Sequence, residues 1–113
     1  MSFFRIEEFE CRCGCGDRTM DVLFITQLER ARELAGVPFV INSGKRCLAH
    51  NAAVGSTSMN HVSGKAADIK ATDGPARGKI LKGLYFAGFR RIGIHKLFIH
   101  ADTMDEIESA WFY

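Results

Sequence analysis

The sequence predicts an α+β domain: a small antiparallel sheet with helices packed on one side. Three observations lead there. Two stretches carry apolar residues at helical spacing, each with a capping residue before it and a glycine after it. Short apolar runs with few charges lie between and after them, as buried strands do. The last two runs are separated by little more than His95-Lys96, the arrangement of an antiparallel hairpin. At 113 residues the chain is one domain, residues 1–113, large enough for a single core and too small for two.

Residues 3–9 mix apolar and acidic side chains and read as an extended arm that packs on the core. Thr19 or Asp21 can cap a helix reaching about Leu34, with Leu23, Phe24, Ile25, Leu28, Ala31 and Leu34 as its apolar stripe. Gly36 ends it and Pro38 follows. Residues 39–42 read as a short buried strand and residues 47–54 as a short helix stopped by Gly55. Residues 66–71 read as a second strand. Asp73-Gly74-Pro75 starts a further helix, with Ile80, Leu81, Leu84, Tyr85 and Ala87 on its apolar face and Gly88 at its end. Residues 90–94 and 97–101 form the hairpin, and residues 108–113 a tail that can serve as an edge strand.

Composition narrows the function. A formal charge of +2 is too small to argue for nucleic acid, and no basic stripe with interleaved aromatics is present. No apolar run is long enough to span a bilayer. The opening Met1-Ser2-Phe3-Phe4-Arg5-Ile6-Glu7-Glu8 has acids where a secretory signal needs an apolar run, so the protein is expected to be cytoplasmic as synthesised. A monomer is expected.

The chemistry concentrates in His61-Val62-Ser63-Gly64-Lys65-Ala66-Ala67-Asp68 and in His100-Ala101-Asp102. Two imidazoles and a carboxylate suit a three-ligand zinc site with a fourth position left for water. Gly64, Ala66 and Ala67 let the backbone turn closely between His61 and Asp68. Strand alternation puts Phe98, His100 and Asp102 on one face, and Leu97, Ile99 and Ala101 on the other. Arg46 follows a glycine turn at a strand end, where its guanidinium fork can meet a carboxylate in a cleft. A surface ion pair is the other reading. His50, inside a short helix, is left out of the site.

His-x-x-Gly-x-Ala-x-Asp followed by a distant His-x-Asp resembles the zinc D-alanyl-D-alanine carboxypeptidase and endolysin family, whose zinc-site layout the hedgehog signalling domain shares. Ser43-Gly44-Lys45-Arg46 resembles the Ser-Gly-Tyr-Arg of that family, with Lys45 in place of Tyr. Glu8-Phe9-Glu10-Cys11-Arg12-Cys13-Gly14-Cys15-Gly16 resembles the opening of its small phage and prophage members. Met59 stands where the family often has Ser.

The resemblance implies a hedgehog-like peptidase fold, Zn2+ held by His61, Asp68 and His100, and substrate binding by Arg46. The implied substrate is a peptidoglycan stem peptide, cut by a carboxypeptidase removing terminal D-alanine or by an endopeptidase, on the cell wall if the protein is released there. Hydrolysis needs a base for the attacking water and an acid for the leaving amine. Many relatives use a Glu three residues before the last ligand, and Leu97 occupies that position here. His95 is then expected as acid/base, with Asp102 either catalytic or orienting a neighbouring histidine. Absence of that Glu leaves a second class open: a non-catalytic zinc-containing module that binds cell wall or protein.

Cys11, Cys13, Cys15 and Cys47 admit three readings: a zinc knuckle, a disulfide from Cys47 to one of the others, or a glycine-rich turn with thiols as half-buried fillers. Two matched Cys-x-x-Cys-like pairs are lacking, so the filler reading leads and the other two stay open.

Overall fold

The structure is a computed structural model that describes residues 3–105 and 107–113. It is α+β, with a five-stranded sheet and three α-helices. Helix α1 spans Val22–Ala35, β1 Ile41–Ser43, α2 Leu48–Ala53 and β2 Ala66–Lys70. Then come α3 at Gly74–Phe86, β3 at Arg91–Ile94, β4 at Phe98–Asp102 and β5 at Ser109–Phe112.

Asp21, rather than Thr19, caps α1: its carboxylate accepts the Phe24 N–H at 2.9 Å. Asp73 does the same for α3 through the Ala76 N–H. Phe24, Leu28 and Ala31 of α1 and Ile80 and Leu84 of α3 are fully buried against each other and the sheet. Each large side chain among them contributes about 1.5–3 kcal/mol by leaving water. The stripes expected from sequence were too broad. Leu23 and Tyr85 sit in end turns and point outward, 78% and 71% exposed.

Residues 3–9 pack on the core, with Phe4 and Phe9 buried edge to face, but the arm is not extended throughout. Ile6–Phe9 form a 3-10 turn. The Glu8 carboxylate accepts the Arg5 N–H at 2.7 Å, and Glu29 of α1 accepts the N–H groups of Phe3 and Phe4. These bonds take the place of a strand partner.

The sheet order is β1-β2-β4-β3-β5. All neighbours are antiparallel except β3 and β5, which run parallel. The C-terminal tail is thus an edge strand, in the direction that pattern alone could not give. The chain leaves β4 at the end where β3 begins, and Ser109 sets out again beside Arg91. Strand β1 starts later than residue 39 and forms the other edge. Val40 and Asn42 are exposed while Phe39 and Ile41 are buried. The Arg12 guanidinium donates to the carbonyls of Ile41 and Asn42, covering that edge.

Alternation sorts the two central strands. Ala67, Ile69, Ile99 and Ala101 face the core. Asp68 lies directly opposite His100, and Ala66 opposite Asp102. Side chains of paired residues emerge on the same side, so Asp68 and His100 meet on the face away from the core.

Candidate metal centre

His61 reaches this face from the loop before β2. Residues 59–64 turn back on themselves, with the Ser63 N–H on the Met59 carbonyl and the Gly64 N–H on that of His61. Gly64 has φ 77°, and a Cβ there would lie 2.8 Å from the Thr19 carbonyl oxygen, so the turn requires glycine. The Gly64 carbonyl accepts the Asp21 N–H, seating the turn on the start of α1.

One ligating atom from each of His61, Asp68 and His100 lies within 4.8 Å of the other two. Asp68 Oδ1 is 3.4 Å from His61 Nε2 and 2.9 Å from His100 Nδ1. Tetrahedral zinc with nitrogen and oxygen ligands spaces its donors about 3.3 Å apart. The far nitrogens are also engaged. His61 Nδ1 donates to the Gly44 carbonyl at 2.8 Å, and His100 Nε2 to Asp102 Oδ2 at 2.6 Å. In the neutral ring each bond holds the proton on the outer nitrogen, so the inner lone pair can take a cation. The donor set therefore fits zinc.

The charges are tightly linked. Burial works to raise the Asp68 carboxyl, but hydrogen bonds from His100 and His61 and their charges outweigh it and hold it well below the usual carboxylate range. Burial would lower His100; bonds to Asp102 and Asp68 outweigh that and raise it. Asp102 is lowered: burial opposes this, and His100, the Met104 N–H and Arg91 prevail. A cation arriving among these groups must displace the extra proton that His100 holds between two carboxylates. Apparent zinc affinity should thus fall about tenfold per pH unit below the raised His100 value, and level off above it. Calorimetry in buffers of different ionisation enthalpy counts the proton released; no release at a pH where His100 is protonated would contradict this arrangement.

Asp102 is fully buried and does not line the cleft. It bonds His100 with one oxygen, and Arg91 Nε and the Met104 N–H with the other. It faces His100 as alternation required, in an orienting position. Asp102→Asn should weaken zinc binding about 10–100-fold while keeping the shape of the side chain. Competition against a chromophoric chelator measures this, and parental affinity would show that Asp102 orients nothing.

Arg46 lies beside the cluster. Its Nη2 is 3.9 Å from Asp68 Oδ2, and Nη1 donates to Asn51 Oδ1 at 3.2 Å. Asn51 is buried in α2 and donates to the Ser58 carbonyl. Backbone bonding of the Arg46 N–H to the His61 carbonyl joins the two segments.

His95 is not brought to the cluster. Its ring stacks on Phe98, centroids 4.5 Å apart, and its Nδ1 accepts the Leu97 N–H. Phe98 and Tyr113 line the cleft, and His95 sits behind them.

The cleft has a volume of about 580 Å³ and is walled by Arg46, His61, Asp68, His100, Ser56 and Ser58, with Trp111 and Tyr113 from the tail. A second groove of about 610 Å³, by Tyr85, Phe86 and Phe89, brings together no metal-ligating set among the described residues. The roles of Trp111, Tyr113, Arg91 and Asn51 went unread in the sequence. The one available signal was Gly93 between two isoleucines, since a strand glycine marks a close approach. Gly93 is the parallel partner of Trp111, and a Cβ on it would collide with the indole Nε1 and lie 2.7 Å from Cε2. The indole instead lies across the sheet, 5.5 Å from the His100 ring and under the Arg91 guanidinium.

The family described as Peptidase M15 matches residues 2–102. The chain belongs to this peptidase family. M15 peptidases are zinc-dependent hydrolases of peptide bonds, in keeping with the donor set on the open face of the sheet. The M15 match ends at the last residue of β4, so Trp111 and Tyr113 lie beyond it. No curated protein matches the chain.

Proposed function

We propose that this M15 peptidase cleaves peptidoglycan stem peptides and acts as a carboxypeptidase on a terminal D-alanine. The carrying observation is the Arg46 guanidinium within 3.9 Å of the Asp68 carboxylate. Successive Cα atoms of a peptide are 3.8 Å apart. A carboxylate gripped by Arg46 therefore leaves the last peptide bond beside His61, Asp68 and His100. A substrate cut internally would instead present Arg46 with a backbone carbonyl or a side carboxylate.

His61, Asp68 and His100 would hold the zinc, which supplies Lewis acidity to polarise the scissile carbonyl and make water more acidic. The chain's own residues do the rest. Asn51 fixes the plane of the Arg46 guanidinium through Nη1 and leaves Nη2 toward the cleft. Asp102 keeps the proton on His100 Nε2. Trp111 screens the His100 ring from water. His95 serves as acid/base once its ring leaves the Phe98 stack and reaches the cleft. A non-catalytic binding module is the second reading: Asp68 is the one carboxylate among the described residues that line the cleft.

The test is digestion of purified peptidoglycan and of a defined pentapeptide stem, with zinc, followed by mass analysis. Release of one D-alanine per stem is expected. Internal fragments would replace the carboxypeptidase by an endopeptidase, and binding without cleavage would favour the module. His95→Ala, assayed for turnover and zinc together, should lose rate and keep metal; full rate would remove His95 from the chemistry.

A further inference from the structure

The four cysteines lie outside the cleft and take no part in the chemistry above. They do not behave as fillers. Cys11 is buried and Cys47 partly so, but Cys13 and Cys15 are exposed. An exposed thiol gains nothing by apolar packing, yet all four sulfurs lie within 4.8 Å of one another. The Cys11–Cys13, Cys13–Cys47 and Cys11–Cys47 separations are 3.4, 3.7 and 3.8 Å. A tetrahedral zinc with sulfur ligands spaces them about 3.8 Å apart. Disulfides would pair sulfurs two by two; here each of three is near both others.

Backbone N–H groups are aimed at three of these sulfurs. The Cys47 N–H points at Cys11 Sγ, the Asp17 N–H at Cys15 Sγ and the His50 N–H at Cys47 Sγ, each at 3.4 Å. The last makes Cys47 the N-cap of α2, a position normally held by an oxygen side chain. A neutral thiol is a weak acceptor there, whereas a thiolate is a strong one. Metal-bound thiolates commonly receive such donors.

We propose that Cys11, Cys13, Cys15 and Cys47 hold a second zinc ion as a structural tetrathiolate site. The Cys-x-Cys-x-Cys spacing departs from paired Cys-x-x-Cys, and the fourth ligand comes from beyond β1. The site ties the N-terminal loop to the residue following Arg46. It does not depend on the peptidase's substrate.

Metal analysis of the reconstituted, desalted chain should give two zinc per parent molecule, one in Cys13→Ser/Cys15→Ser and one in His61→Ala. Serine at two exposed positions leaves the core untouched, and circular dichroism verifies the fold. With cobalt in place of zinc, parent and His61→Ala should show the near-ultraviolet thiolate-to-cobalt charge-transfer band, and the double serine variant should lack it. The unmutated chain supplies an independent readout. Its four thiols should resist a disulfide reagent until a chelator is added, then react as one zinc leaves. Disulfides in the purified protein, a band surviving the double substitution, or thiols that react freely before chelation would each overturn the site. Iron in place of zinc would overturn the choice of metal. Failure of the peptidase reading would leave the cobalt–thiolate band and the thiol reactivity unchanged, and would alter only the zinc counted at His61.

Discussion

His61→Ala should remove the zinc held with Asp68 and His100 and lower kcat/KM by about 10³-fold or more, the scale expected when several kcal/mol of Lewis-acid stabilisation is lost. The fold should survive. His61 comes from a loop, and its turn is secured by backbone bonds at Met59, Gly64 and Asp21 that do not involve the imidazole. The substitution deletes one donor and frees the Gly44 carbonyl, which water entering from the cleft can satisfy. His100→Ala should cost as much activity and more stability, because Asp68 and Asp102 would be left facing each other without the cation between them. Turnover, metal content and thermal unfolding on both variants check this. Parental zinc content and rate in His61→Ala would remove the centre from the enzyme.

Arg46→Lys should fold normally and lose about 10²-fold in kcat/KM, the worth of one or two charge-assisted hydrogen bonds. The guanidinium does two jobs from one rigid plane, bonding Asn51 with one nitrogen and reaching toward Asp68 with the other. An ammonium is a point charge with no such fork. It can replace the charge or the bond to Asn51, with no second arm held in register for a carboxylate. Zinc content should be unchanged. A peptide amidated at its C-terminus discriminates further: the parent should lose most of its advantage over Arg46→Lys on that substrate. Equal rates for both enzymes on the free acid would make Arg46 a structural residue.

Local pattern carried the α+β class, both long helices and the hairpin, because capping and periodicity are short-range signals. The meeting of Asp68 with His100 was an expectation of the family resemblance. One alternation rule and one antiparallel pairing place both on the face opposite Ile99 and Ala101. What was not legible depends on distant partners. The parallel pairing of β5 with β3 is not encoded within residues 109–112, and so the placement of Trp111 over His100 was not foreseen. Asn51 looks like any polar residue of a short helix until the loop at Ser58 folds over it. The cysteines looked like fillers because their spacing matches no paired motif. Only the return of the chain after β1 brings Cys47 to the other three. Leu23 and Tyr85 are apolar but sit more than a quarter turn away from the buried faces of their helices, so they stand exposed.

The indole that rests on Gly93 is the chain's one tryptophan. Its emission therefore comes from a single place, 5.5 Å from the centre of the His100 ring. Protonated imidazole quenches indole, so the unlabelled protein should brighten as His100 loses its proton or receives a closed-shell cation. A paramagnetic ion entering the same donors should darken it. Occupancy of the centre can then be read in real time on the natural chain, separately from metal at the thiolates, by light collected from one residue.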